Sequence, residues 1–148
     1  MVDQGEDGIY GIFTPDGSEV IGGAGLHPRV APGGLEIGYW IRSSRIGAGF
    51  ATEAAAVLTR VAVDLCGVDR VEIHVDPANE ASLAVPRKLG FREEGTLRRR
   101  LPPVEPSGQP RDDMIFSLLA EELSSSPAAA ARYEAYDAAG RLIVSRRE

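Results

Sequence analysis

Between Leu35 and Pro77 the hydrophobic pattern changes period twice, and that change leaves the chain few ways to fold. Leu35, Ile37, Tyr39 and Ile41 alternate with Glu36, Gly38, Trp40 and Arg42, the period-2 signature of a strand with two different faces. After Arg45-Ile46-Gly47-Ala48-Gly49, apolar residues recur at Ala51, Ala54, Ala55, Leu58, Val61, Ala62 and Leu65. That is amphipathic-helix spacing, and Gly67 is placed to stop the helix as a C-cap. Alternation resumes from Arg70 to Asp76, with Val71, Ile73 and Val75 on one face and Glu72, His74 and Asp76 on the other, and Pro77 closes it. Strand, helix and strand in that order form a βαβ unit, which implies parallel pairing through a right-handed crossover.

The flanking segments read as local, antiparallel structure. Ile9 to Phe13 and Glu19 to Leu26 bracket Pro15-Asp16-Gly17, the pattern of a hairpin. Asn79 is placed as the N-cap of a shorter helix through Ser82, Leu83, Val85 and Leu89, with Gly90 as its stop. Pro86 breaks the local rule, because it removes the hydrogen bond to the Ser82 carbonyl at a cost of about 3 kcal/mol unless the helix starts late or bends. Phe91 to Leu101 and Met114 to Leu119 read as two strands joined by an arm rich in proline and glycine, paired antiparallel. The tail is low in complexity from Ser124 to Ala131, and Tyr133 to Tyr136 followed by Leu142 to Val144 reads as a hairpin or strand.

Composition narrows the function classes. At 148 residues, 43% hydrophobic and 26% charged, the chain has the make-up of one ordinary globular domain. Sixteen basic against 22 acidic residues give a net charge of −6, so no global positive field draws it to nucleic acid. The short run Arg98-Arg99-Arg100 stands beside Glu93 and Glu94 and does not change that reading. Cys66 is alone, which excludes an internal disulfide and a cysteine-rich metal cluster and suits a reducing compartment. Met1 to Asp7 has no export-signal pattern, and the most apolar stretch, Ala54 to Val68, is interrupted by Arg60 and Asp64; the expectation is a cytoplasmic protein with no membrane span and no metal.

The turn Ile46 to Ala51 sits between strand and helix, where glycines let a ligand approach the backbone and the helix offers free N–H groups. A pyrophosphate fits such a place; so does no ligand at all, since an isolated Gly-x-Gly is often only a tight turn. The dinucleotide fingerprint needs a third glycine where Thr52 stands, and the Gly-Lys-Ser/Thr ending of a P-loop is absent.

Four linked blocks carry a family resemblance: Glu36-Ile37-Gly38-Tyr39-Trp40, Gly47 to Ala54, Asn79-Glu80-Ala81-Ser82 and Lys88-Leu89-Gly90-Phe91. In order and spacing they resemble GNAT-type N-acetyltransferases, the RimJ/RimL-like branch most closely, from about Tyr10 to Leu119. The resemblance implies an α+β fold: a mixed, mostly antiparallel central sheet, flanked by helices, whose parallel βαβ unit splays to hold CoA. It implies acetyl-CoA as cosubstrate, an amine as acceptor, and cofactor contacts at Ile41, Arg42, Ile46, Gly47, Ala48, Gly49, Phe50, Ala51, Asn79 and Ser82. Glu36 stands where relatives often place a base, His74 is the second candidate base, and Ser82 matches a serine that can hydrogen-bond the CoA sulfur. Helix capping alone would also justify Asn79 and Ser82, and His27, beside Pro28, reads as a surface loop residue.

Three departures from the family pattern matter. Ile46 replaces the usual Gln or Arg of the turn, with Arg45 one residue earlier; Pro86 stands where many relatives carry a proton-donating tyrosine; and the resemblance begins near the family's second strand. The corresponding expectation is a truncated domain over residues 1–123, followed over 124–148 by a linker and a strand or hairpin that covers the exposed sheet edge, alone or with a partner in a homodimer. A non-catalytic CoA-binding or assembly protein and a nucleotide-dependent redox domain are the competing readings.

Overall fold

The computed structural model describes residues 7–30 and 32–147. The pattern changes in the sequence become β1 (Gly8–Phe13), β2 (Val20–His27), β3 (Gly34–Ile41), α1 (Phe50–Asp64), β4 (Arg70–Val75), α2 (Glu80–Lys88), β5 (Arg92–Leu101) and β6 (Arg111–Leu119). They build a six-stranded sheet in the order β1-β2-β3-β4-β6-β5, in which β3 and β4 are the parallel pair and the other neighbours are antiparallel. This is the expected mixed α+β architecture. The hairpin, the βαβ unit and the β5–β6 pair all stand where the sequence places them.

The register shows where the sheet opens. β2 stays paired to β3 as far as Gly22↔Ile41, and β4 to β6 as far as Val75↔Met114, while the β3–β4 ladder ends at Ile37↔Ile73. Beyond that point Gly38 to Ile41 and His74 to Val75 diverge, leaving backbone groups without ladder partners on both sides of a wedge. The expected splay is present.

The core lies on the sheet face that carries Leu26, Ile37, Val71, Ile73, Phe116 and Leu118, all at 0–1% exposure. Each of these large side chains contributes about 1.5–3 kcal/mol by leaving water. α1 sets Ala55, Leu58 and Ala62 against this face, the small alanines permitting close approach, and buried Thr59 donates its hydroxyl to the Ala55 carbonyl at 2.7 Å. The helix ends at Asp64 with Leu65 as its cap, so Gly67 is not the C-cap: it turns the chain two residues later, at φ +66°.

α2 accommodates Pro86 without starting late. The helix begins at Glu80 under an Asn79 cap, whose side chain accepts from the Ser82 N–H at 3.1 Å, and runs through Pro86 to Lys88. The physical reason is a substitute donor. The hydroxyl of Tyr39, on β3, donates to the Ser82 carbonyl at 2.8 Å, filling the acceptor that Pro86 leaves unserved.

After β6 come two short 3-10 helices, Ala120–Ser125 and Pro127–Ala130, and a hairpin of β7 (Tyr133–Tyr136) and β8 (Leu142–Arg146). This tail packs on α1. The Arg60 guanidinium donates to the carbonyls of Ala129 and Ala131 at 3.0 and 2.8 Å, and the Tyr133 hydroxyl donates to Asp64 at 3.2 Å. Among the described residues β7 and β8 form a two-stranded sheet of their own and are not hydrogen-bonded to β1. Between β1, α1 and the hairpin lies an apolar cleft of about 650 Å³, lined in part by Tyr10, Ile12, Val57, Val61, Tyr133 and Ile143. Among the described residues no helix is long and apolar enough to cross a membrane.

Candidate functional site

The glycine turn leaves its backbone open to approach. Gly47 and Gly49 take φ of +88° and +84°, a conformation L side chains rarely adopt, and a Cβ at either place would meet nothing within 4 Å. Gly49 is also the N-cap of α1, its carbonyl accepting from the Glu53 N–H at 3.0 Å. The N–H groups of the first helical turn are left without intrahelical partners at the positive end of the helix dipole. The turn and the start of the helix line a cleft of about 300 Å³ with Tyr39, Trp40, Ile41, Arg45, Ile46, Gly47, Gly49, Phe50, Ala51 and Thr52 on one side and Asn79, Ala81, Ser82, Ala84, Val85 and Lys88 of α2 and its cap on the other. Helix N-terminus, Arg45 and Lys88 together give it the electrostatic character of an anion site.

A second cleft, of about 180 Å³, opens at the splay and is lined by Ile37, Gly38, Tyr39, His74, Val75, Asp76, Asn79, Ser82, Leu101 and Arg111. Tyr39, Asn79 and Ser82 line both clefts, so the two are neighbours at the wedge between β3 and β4. Burial pushes the Tyr39 phenol far above its usual value, so it remains a donor throughout the working pH range.

The sheet face opposite α1 carries a hydrogen-bonded group of acids and one imidazole. His74 places Nε2 at 2.8 Å from Glu72 Oε1 and Nδ1 at 3.0 Å from Asp113 Oδ2. Burial works against a charged ring here, but the hydrogen bond to Glu72, the nearby Glu36 charge and the bond to Asp113 together hold the His74 pKa above its ordinary value. Burial likewise opposes ionisation of Glu72, and its bonds to Arg70 and His74 overcome that and hold its pKa down. The partners agree: the group favours a carboxylate beside an imidazolium. Asp113, at 4% exposure, leaves its other oxygen, Oδ1, without a protein partner. Glu36 lies in register between His27 and Glu72, largely covered, with Arg29 at 3.8 Å.

Of the residues singled out in the sequence, Ile41, Ile46, Gly47, Gly49, Phe50, Ala51, Asn79 and Ser82 line the anion cleft, while Arg42 and Ala48 are not among its lining residues. Arg42 turns instead to Glu19, at 3.3 Å. His74 lines the second cleft, and Glu36 stands behind it. His27 is not a surface loop residue: it ends β2, is mostly buried, and bonds Asp7 at 2.8 Å. Sequence reasoning passed over Tyr39, Asp76, Arg111, Asp113 and Lys88. A donor opposite Pro86 could have been sought from the freed Ser82 carbonyl alone, but nothing local identifies Tyr39 as its source.

Residues 2–92 match the model of the Acetyltransferase (GNAT) domain family. The chain is 32% identical over 120 residues to the uncharacterized N-acetyltransferase p20 of Bacillus licheniformis, covering 80% of this chain and 66% of that one. It is 30% identical over 121 residues to the probable N-acetyltransferase YjcK of Bacillus subtilis (strain 168), covering 80% and 65%. The chain therefore spans about two thirds of the length of these relatives. Among solved structures, Mycobacterium smegmatis RimJ in complex with CoA-disulfide superposes with a TM-score of 0.69 at 36% identity, covering 82% of this chain and 57% of that one.

Proposed function

Because this chain belongs to the GNAT acetyltransferase family, we propose that it moves an acetyl group from acetyl-CoA to a primary amine by direct attack within a ternary complex. The observation that carries the proposal is that the anion cleft and the cleft at the splay lie side by side, sharing Tyr39, Asn79 and Ser82 as lining. The pyrophosphate of CoA lies against the N–H groups of Gly47 to Ala51. The pantetheine arm runs through the wedge and pairs with the unladdered backbone of β3 and β4 as an added strand would. Such a path delivers the thioester to Ser82 and the acceptor to the side of His74, Asp76 and Arg111. That the RimJ of Mycobacterium smegmatis is a complex with CoA-disulfide supports the choice of donor, and the four sequence blocks support the RimJ/RimL-like branch.

The neutral amine attacks the thioester carbonyl carbon, forming the C–N bond and an oxyanion; collapse breaks the C–S bond and the thiolate leaves with the electron pair. The ammonium proton goes to Glu36 or His74, directly or through water, and Ser82 offers its hydroxyl to the leaving sulfur. Like any imidazole, His74 serves as a base only when neutral, and the carboxylates at both ring nitrogens favour the protonated ring; this favours Glu36 at the pH where the imidazolium persists. The acceptor class is a protein N-terminus or a small amine. Among the described residues no strand pairs with the outer side of β1, which favours a homodimer, and the solitary Cys66 favours a cytoplasmic setting.

The test is thiol release from acetyl-CoA against a panel of N-terminal peptides and small amines, with mass spectrometry of the acceptor. Amine-dependent thiol release with an acetylated product is expected; saturable CoA binding without turnover on any amine contradicts catalysis.

A further inference from the structure

At the lip of the anion cleft one carboxylate holds two arginines. Arg45, which lines the cleft beside Gly47 and Gly49, sets its Nε at 3.3 Å from Glu19 Oε1 and donates from Nη2 to Oε2, a two-pronged grip. Arg42 adds a third contact, Nη1 to Oε1 at 3.3 Å. Glu19 is presented by a closed turn: its carbonyl accepts from the Thr14 N–H at 3.0 Å, its own N–H donates to the Thr14 hydroxyl at 3.2 Å, and Asp16 ties Thr14 to Ser18. The arginine segment does not need Glu19 to keep its shape. Arg42 N–H donates to the Ile21 carbonyl at 2.7 Å and Arg45 N–H to the Arg42 carbonyl at 2.8 Å, so backbone bonds already fix it.

A carboxylate and a phosphate present the same paired oxygens to a guanidinium. We infer that Glu19 is an internal competitor for the phosphates of the bound cofactor: it occupies Arg45, which lines the anion cleft, together with Arg42 beside it, and thereby lowers the affinity for CoA. This rests on the reading of the cleft as a CoA site and adds to it a residue outside the cleft. A phosphate reaching the glycine turn gains the two-pronged Nε/Nη2 edge of Arg45 only by displacing Glu19, and beside an intact Glu19 it meets a guanidinium whose charge is already partly compensated, so part of the attraction is lost. The groups are partly exposed to solvent, so the competition is modest and screened by salt.

The experiment is calorimetric titration of CoA into the wild type, Glu19→Gln, Arg45→Gln and the double variant, at two salt concentrations. Glu19→Gln is expected to bind CoA about two- to fivefold more tightly, with a steeper loss of affinity on adding salt. Adding Arg45→Gln to it should remove the gain, whereas Arg45→Gln alone should change the wild type less. Unchanged or weaker binding by Glu19→Gln with unaltered thermal unfolding overturns the inference, since a purely structural grip predicts weakening. Inorganic pyrophosphate, followed by the NMR shift of the Arg45 Nε–H, separates this inference from the cofactor reading. A stronger pyrophosphate response in Glu19→Gln without CoA binding to any variant keeps the competitor and discards the CoA site; no difference in either titration discards the competitor.

Discussion

Tyr39→Phe removes one oxygen and, by this structure, one bond that nothing else replaces. The Tyr39 hydroxyl donates to the Ser82 carbonyl at 2.8 Å, and Pro86, the residue whose N–H would serve that carbonyl in an ordinary helix, has none to give. Leaving a partly buried acceptor unpaired costs about 1–2 kcal/mol, which in a domain of this size lowers the unfolding midpoint by about 3–6 °C. A double-mutant cycle isolates the cause. Pro86→Ala restores an N–H that can close the α-helical bond to Ser82, so Tyr39→Phe should become nearly neutral in that background, with a coupling of about 1 kcal/mol. Pro86 is fully buried and its loss carries a packing cost, but that cost cancels in the cycle. Circular-dichroism melts and urea titrations of the four proteins read it. If Tyr39→Phe costs the same in the Pro86→Ala background as in the wild type, the substitution of a side-chain donor for a backbone one is wrong.

Three further outcomes follow from the geometry. Gly49→Glu sets a carboxylate at the anion cleft and an L residue at φ +84°; it should abolish CoA binding, while Gly49→Ala should keep it at a stability cost of about 1–2 kcal/mol. Because the folded-state pKa of His74 lies above its ordinary value, its stabilising contribution is complete below about pH 6.5 and fades as the pH rises through the folded value. The stability difference between wild type and His74→Gln should therefore shrink from pH 6 to pH 8, and NMR titration of Glu72→Gln should show a lower His74 pKa. Arg60→Ala orphans the carbonyls of Ala129 and Ala131 and removes the cation set 5.7 Å from the Tyr133 ring; denaturation should show a loss of about 2–3 kcal/mol, and hydrogen exchange should rise in the β7–β8 hairpin.

The centre of the sheet was legible in the sequence because its two parallel strands carry their own period, and the outer strands because turn residues separate them. Leu35 to Ile41 and Arg70 to Val75 alternate cleanly, and the helical spacing between them dictates a parallel pair. The glycine turn was legible for the same local reason: its residues are adjacent in the chain, as are Asn79 and Ser82 at the start of α2. The remainder of the site depends on distance. Tyr39 meets Ser82 across 43 positions and His74 meets Asp113 across 39, and no pattern within either segment announces its partner. The same holds for Glu19 and Arg45, which come together only because β2 and β3 are neighbours. Pro86 shows the limit most plainly: local rules identified the missing bond and the carbonyl left without it, and only the tertiary structure supplied the donor.

The most direct test of the account is calorimetric titration of acetyl-CoA into the wild type and Gly49→Glu. Saturable one-to-one binding to the wild type, lost in a variant that still unfolds cooperatively, is the expected result. No binding by the folded wild type, or undiminished affinity in Gly49→Glu, would contradict the placement of the cofactor in the neighbouring clefts and the acetyl transfer built upon it.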